Sequence, residues 1–166
     1  MMIPPMMVDL GGAALWLVSR ERRPDDARES WRRGVAATLQ VGMHFDVVQV
    51  PSGIVENGMC GVKDRAAIQN HFRAVGITSA VILSRTRTRY CLLVPPDTAQ
   101  DWAEPGTQCI GRHHPTNYLG VPAPTRREPP GAHWLMPAPE DNGMLCDPAN
   151  IRLLVGKAGR RQGQTR

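Results

Sequence analysis

Fifteen prolines and sixteen glycines punctuate a chain of 166 residues. Proline removes a backbone donor and fixes φ, and glycine stops helices and opens turns. Punctuation this dense excludes a long helical bundle and predicts short elements joined by rigid turns. At this length the chain makes one domain with a core of its own, needing no disulfide or metal staple. Aromatic residues are only 5% of the sequence, so aliphatic residues and Met must fill most of that core.

Apolar periodicity places the elements. Leu10, Ala13, Ala14 and Leu17 recur at helical spacing and predict a short helix ending near Arg20. Pro24 followed by Asp25 and Asp26 reads as a helix start, with acids against the positive end of the dipole. Trp31, Val35 and Leu39 extend its buried stripe to Gly42. Phe45 to Val50 is a β-branched run stopped by Pro51, apolar on both faces, and predicts a central strand. Pro51 to Gly61 reads as a loop. Asp64 is placed to cap a helix with the stripe Ala67, Ile68, Phe72 and Val75, and Gly76 to stop it.

Ala80 to Leu83 and Tyr90 to Val94 predict a hairpin. Asp97 to Trp102 is expected to form a short helix. Thr107 to Ile110, Tyr118 to Val121 and His133 to Met136 are further short strands. Asp147 and Pro148 open a last helix ending near Gly156. The pattern is α+β, a mostly antiparallel mixed sheet flanked by helices. Residues 1 to 156 are read as a single α+β domain, and 157 to 166 as a basic disordered tail.

The formal net charge is +5, almost all of it from arginine, since Lys63 and Lys157 are the only lysines. That balance suits acidic partners such as nucleic acid or phosphate groups. Cys60, Cys91, Cys109 and Cys146 form no C-x-x-C pair, and their spacing suggests neither a disulfide framework nor a zinc knuckle. Reduced thiols fit a reducing compartment. The apolar stretch Met6 to Val18 is interrupted by Asp9 and is too short to span a bilayer. No membrane partner and a cytoplasmic location are expected.

Three places carry chemistry. Arg85, Arg87 and Arg89 alternate with Thr86 and Thr88. On an extended strand they would project from one face about 7 Å apart, a spacing suited to nucleic-acid phosphates. His133 follows a tight glycine turn, where it can donate to a phosphate or move a proton. Asp46 lies in an otherwise apolar strand, where an acid must be paired, exposed or functional. Magnesium-dependent phosphoryl transfer wants clustered carboxylates, yet the residue two further on is Val48. Cys109 and His113 could meet across a turn, but the adjacent His113 and His114 would point to opposite faces and the spacing suggests no third ligand, so no metal site is assigned.

Several phrases, taken in order, resemble a known group. They are the helix around Trp16, Gly42-Met43-His44-Phe45-Asp46-Val47-Val48-Gln49-Val50-Pro51, Leu93-Val94-Pro95-Pro96-Asp97-Thr98-Ala99, Val121-Pro122-Ala123-Pro124 and Pro130-Gly131-Ala132-His133-Trp134-Leu135. Over residues 10 to 155 the chain resembles short bacterial proteins related to the N-terminal domain of bifunctional DNA primase/polymerases. The resemblance implies a role in DNA replication. It also implies Asp46 and His133 as catalytic residues, with Mg2+ or Mn2+ as cofactor only if the domain is catalytic. Catalytic members carry an Asp-x-Asp pair that Asp46 and Val48 do not reproduce. The expectation is a catalytically reduced domain that binds DNA or another nucleic acid, or nucleotide, through Arg85, Arg87 and Arg89. Two alternatives stand beside it. One is an adaptor whose partner is another protein. The other is an active nucleotidyltransferase pairing Asp46 with a distant acid, Asp101 or Asp141.

Overall fold

A computed structural model describes residues 11–164, with side chains to residue 156. Readings that fall on residues 1 to 10, Leu10 of the first helix among them, and on 165 and 166 lie outside it. In chain order the elements are α1 (Gly12–Val18), α2 (Pro24–Arg32), β1 (Ala37–Gln40), β2 (Asp46–Pro51), α3 (Ser52–Asn57) and α4 (Arg65–Ala74). There follow β3 (Val81–Leu83), β4 (Arg89–Val94), β5 (Gln108–Ile110), β6 (Tyr118–Val121), β7 (His133–Met136) and α5 (Pro148–Gln164). The fold is α+β: a five-stranded sheet of order β5-β2-β4-β3-β7 and a two-stranded sheet of β1 and β6, flanked by helices. Every strand pair is antiparallel.

The central strands are those whose sequence is apolar on both faces. β2 lies between β4 and β5, and Phe45, Val47, Val48 and Val50 are all buried. Asp64 caps α4 by accepting from the Ala67 N–H at 2.8 Å, and Gly76 takes a φ of +87° just past its end. The helix lays Phe72 edge-on against Tyr90 of β4, ring centroids 5.3 Å apart. Two tryptophans fix the exit of β6. Trp31 donates to the Val121 carbonyl and Trp134 to the Pro122 carbonyl, at 2.9 and 3.0 Å. Near α1, Trp16, His44 and Phe45 form an aromatic cluster, with centroids 4.4 Å apart for Trp16 and His44.

Four boundaries differ from the sequence reading. The helical stripe Trp31, Val35, Leu39 breaks after its first member. Gly34, at φ +77°, ends α2, Val35 is exposed, and residues 37–40 form β1. Pro51 to Gly61 contains the short helix α3 rather than only a loop. Asp97 to Trp102 is reduced to a 3-10 turn, Thr98–Gln100. The last helix does not end near Gly156 but runs to Gln164, over most of the stretch read as a disordered tail. Glycine disfavours a helix by only about 1 kcal/mol and keeps its N–H, and no proline follows Pro148 to stop it.

Candidate functional site

The sheet separates two of the residues singled out above. Asp46 opens β2 opposite Val94, while His133 opens β7 in line with Leu83, Tyr90 and Val50. The two share a face of the sheet but stand four residues and three strands apart in register. That is roughly 13 Å along the strands and 14 Å across them. They do not form one catalytic centre. His133 is 2% exposed, and its Nδ1 lies 3.1 Å from the Gly131 carbonyl, so the imidazole braces the glycine turn that precedes it.

Asp46 is 1% exposed. Its Oδ2 accepts from the Ala99 N–H at 3.0 Å, which ties the 97–101 loop to the start of β2. Oδ1 makes no hydrogen bond of ordinary geometry, although the Asp97 backbone N–H stands near enough to the carboxyl to favour its charged form. Burial pushes the carboxyl above its ordinary range, the Ala99 hydrogen bond opposes this, the charge of Asp97 adds to the rise, and the Asp97 backbone N–H and the Arg112 charge offset part of it. The neighbouring carboxylate that adds to this rise is Asp97. Asp97 itself pairs with Arg112 at 3.5 Å. Beside them Cys109 is held as a thiol, its pKa pushed up to about 12 by burial and then by Asp46. Val48, next along the same face of β2, is fully buried among apolar neighbours. Among the described residues no group of three His, Cys, Asp or Glu side chains is placed to hold a metal ion. His114 is occupied locally. Its Nδ1 accepts from the Thr116 N–H, and its Nε2 lies 3.0 Å from Gln108 Nε2.

An acid whose folded pKa lies above its unfolded one binds a proton more readily in the native state. Its contribution to stability is then full at low pH, and is lost as pH rises from near 3.8 through the folded pKa. Asp46→Asn keeps an acceptor for the Ala99 N–H but cannot ionise. The variant is expected to gain on the parent as pH is raised from 4 to 7. Urea midpoints of the two proteins at both pH values check this. A difference that does not change with pH would show that Asp46 carries no such penalty, whatever Asp97, Arg112 and Cys109 around it do.

The arginine segment is a turn, not an extended strand. Arg87 sits at φ +59°, and its N–H donates to the Ser84 carbonyl at 2.9 Å. The Ser84 hydroxyl accepts from the N–H groups of Thr88 and Arg89, and the Thr86 and Thr88 hydroxyls are 2.7 Å apart. The expected row of guanidiniums at strand spacing is thereby corrected. A serine that offers its side chain to nearby amides competes with the ladder and closes the loop. Arg85, Arg87 and Arg89 are nonetheless all exposed. The ion pairs among the described residues use Arg28, Arg32, Arg112 and Arg152, leaving these three without an acid. Arg89 reaches Gln49 Oε1 at 3.4 Å, on the rim of a cleft of about 320 Å³. Thr88, Thr107, Gln49 and Gln108 line that cleft with hydroxyls and amides. Sequence reasoning missed the cleft because Thr107 and Gln108 reach it only through the β2–β5 pairing.

Comparison with protein-family models, with curated proteins and with solved structures finds no match. Among the described residues no helix is long and apolar enough to cross a membrane.

Proposed function

We propose that the chain is a catalytically reduced relative of the primase/polymerase N-terminal domain that binds nucleic acid or nucleotide through the β3–β4 turn. The observation that carries this reading is the turn itself. Three exposed guanidiniums within five residues have no acid partner among the described residues, and they stand beside a cleft lined by amides and hydroxyls. Guanidinium is the side chain best matched to phosphate oxygens, and amides and hydroxyls add donors for sugar and phosphate. The reduced catalysis is supported by Asp46. Its carboxyl is engaged with Ala99, and the residue two along its strand is a buried valine.

The test is binding of a labelled single-stranded oligonucleotide at low and at physiological salt. The parent is expected to bind with affinity falling steeply as salt rises. The variant Arg85→Gln/Arg87→Gln/Arg89→Gln should lose up to three phosphate contacts, lowering the logarithmic salt slope by about 0.7 per contact. Its melting curve should stay close to the parent's, since surface changes away from special features usually cost within about 0.5 kcal/mol each. Primer extension with Mg2+ or Mn2+ is expected to be absent. A parent that does not bind DNA, or a triple variant that binds as the parent does, overturns the reading and leaves the protein adaptor in its place. Extension that Asp46→Ala abolishes would overturn the reduced catalysis alone.

A further inference from the structure

A second hollow, of about 240 Å³, opens where the 97–101 loop meets the end of β5. Asp46 forms part of its wall, almost wholly buried, and its Oδ1 receives no hydrogen bond of ordinary geometry, with only the Asp97 backbone N–H nearby. A buried acceptor left without a donor is destabilising, and more so when it is charged. The chain keeps this place bare. A Cβ at residue 111 would come within 2.9 Å of Asp46 Oδ2 and 3.0 Å of the Ala99 Cβ, so any larger residue would have to push the carboxyl or Ala99 aside. Ala99 and the Cys109 thiol supply apolar lining. At the rim Asp97, half-exposed, brings a second carboxylate, against which stands the one guanidinium of Arg112.

The arrangement selects its ligand by chemistry. An anion would meet two carboxylates, Asp46 in the wall and Asp97 at the rim, although Arg112, His113 and His114 also line the hollow. A metal ion needs several hard oxygen ligands, and no such group is gathered among the described residues. A neutral hydroxyl would satisfy Oδ1 and leave the charge unbalanced. We propose that this hollow binds a small alkylammonium or alkylguanidinium group, whose N–H donates to Asp46 Oδ1 while its first carbons lie against Ala99 and Cys109. The site is separate from the arginine turn and does not depend on what that turn binds. The same chemistry has two sources, a free small amine or the side chain of a Lys or Arg on another protein.

The experiment uses the full chain, with thermal melting and carboxyl carbon NMR as readouts. The probes are n-butylammonium, N-methylguanidinium, tetramethylammonium, and a short peptide carrying one lysine. The first two should raise the melting temperature and move the Asp46 carboxyl resonance. Tetramethylammonium, which has charge but no N–H, should do neither. Asp46→Asn should weaken n-butylammonium binding by about tenfold or more, the factor expected for losing a charged hydrogen bond. Should that variant fail to fold, Asp97→Asn serves. Residue 97 sits at φ +71°, which asparagine tolerates, and loss of its charge should weaken binding several-fold. A lysine peptide that binds as well as n-butylammonium supports the site with a protein source, and one that does not supports it with a free amine. The proposal is overturned if tetramethylammonium acts like n-butylammonium, or if binding survives Asp46→Asn unchanged. It is equally overturned if no amine moves either readout.

Discussion

Trp134→Ala is expected to lower the free energy of unfolding by about 3–5 kcal/mol, the cost of emptying a large aromatic site that cannot fully collapse. The indole is 0% exposed. It stands on β7 opposite Ile82 of β3, and its N–H reaches across to the Pro122 carbonyl just past β6. One side chain thus ties the edge of the large sheet to the exit of the small one. Truncation removes the packing and leaves a buried carbonyl without its donor, which alone is worth about 1–3 kcal/mol. Trp134→Phe divides the two effects in part, since it keeps one aromatic ring in the site but loses the N–H and the volume of the other ring. Urea unfolding of the two variants, with Leu153→Ala as an exposed control at 52%, gives the comparison. If Trp134→Ala unfolds at the parent's midpoint, the two sheets are joined elsewhere.

The parts of this fold that the sequence declares are those decided locally. Phe45 to Val50 is apolar on both faces and stopped by a proline, and it becomes a central strand. Asp64 and Gly76 bracket α4 as a cap and a stop should. The misreadings arise where two patterns compete over a few residues. Trp31, Val35 and Leu39 fit a helical stripe, but Gly34 turns the chain after Arg33, and Leu39 is buried by the β1–β6 pairing instead. That pairing joins segments about eighty residues apart, and periodicity cannot report it. The arginine turn fails as a strand for the same kind of reason: the Ser84 hydroxyl offers two amides a partner that the ladder does not.

The candidate sites divide along the same line. Asp46 is legible because an acid in an apolar run is conspicuous. Its partners are not, because Ala99, Asp97 and Gly111 meet it only when β5 pairs with β2 and the 97–101 loop folds over the strand end. His133 is equally conspicuous in sequence, and the fold sets it at the opposite end of the sheet against its own glycine turn. A conspicuous residue type marks where a demand exists, and only the register decides which residues meet it.

Gly42→Ala should be the most disruptive glycine replacement at the Asp46 end of the molecule. Gly42 has a φ of +100°, and a Cβ there would lie 2.4 Å from the N, Cα and Cβ of Arg112. The obstacle is backbone, so no side chain can swing aside to relieve it. Left-handed strain costs on the order of 1–3 kcal/mol, and overpacking adds about 1–3 kcal/mol more. The expected loss is therefore about 2–6 kcal/mol. The Gly42 N–H also closes the turn into β2 by donating to the Phe45 carbonyl at 2.7 Å, so the strain falls on the segment that presents Asp46. If the chain still folds, it must do so by moving Arg112 away. The Asp97–Arg112 pair would then open, and n-butylammonium binding in the hollow should change with it. Gly120→Ala is the control, since its nearest neighbour would be the Ala36 Cβ at 3.8 Å, ordinary contact. Urea midpoints of both variants decide the matter. Equal stability for Gly42→Ala and the parent would mean that the turn and the Arg112 backbone do not touch.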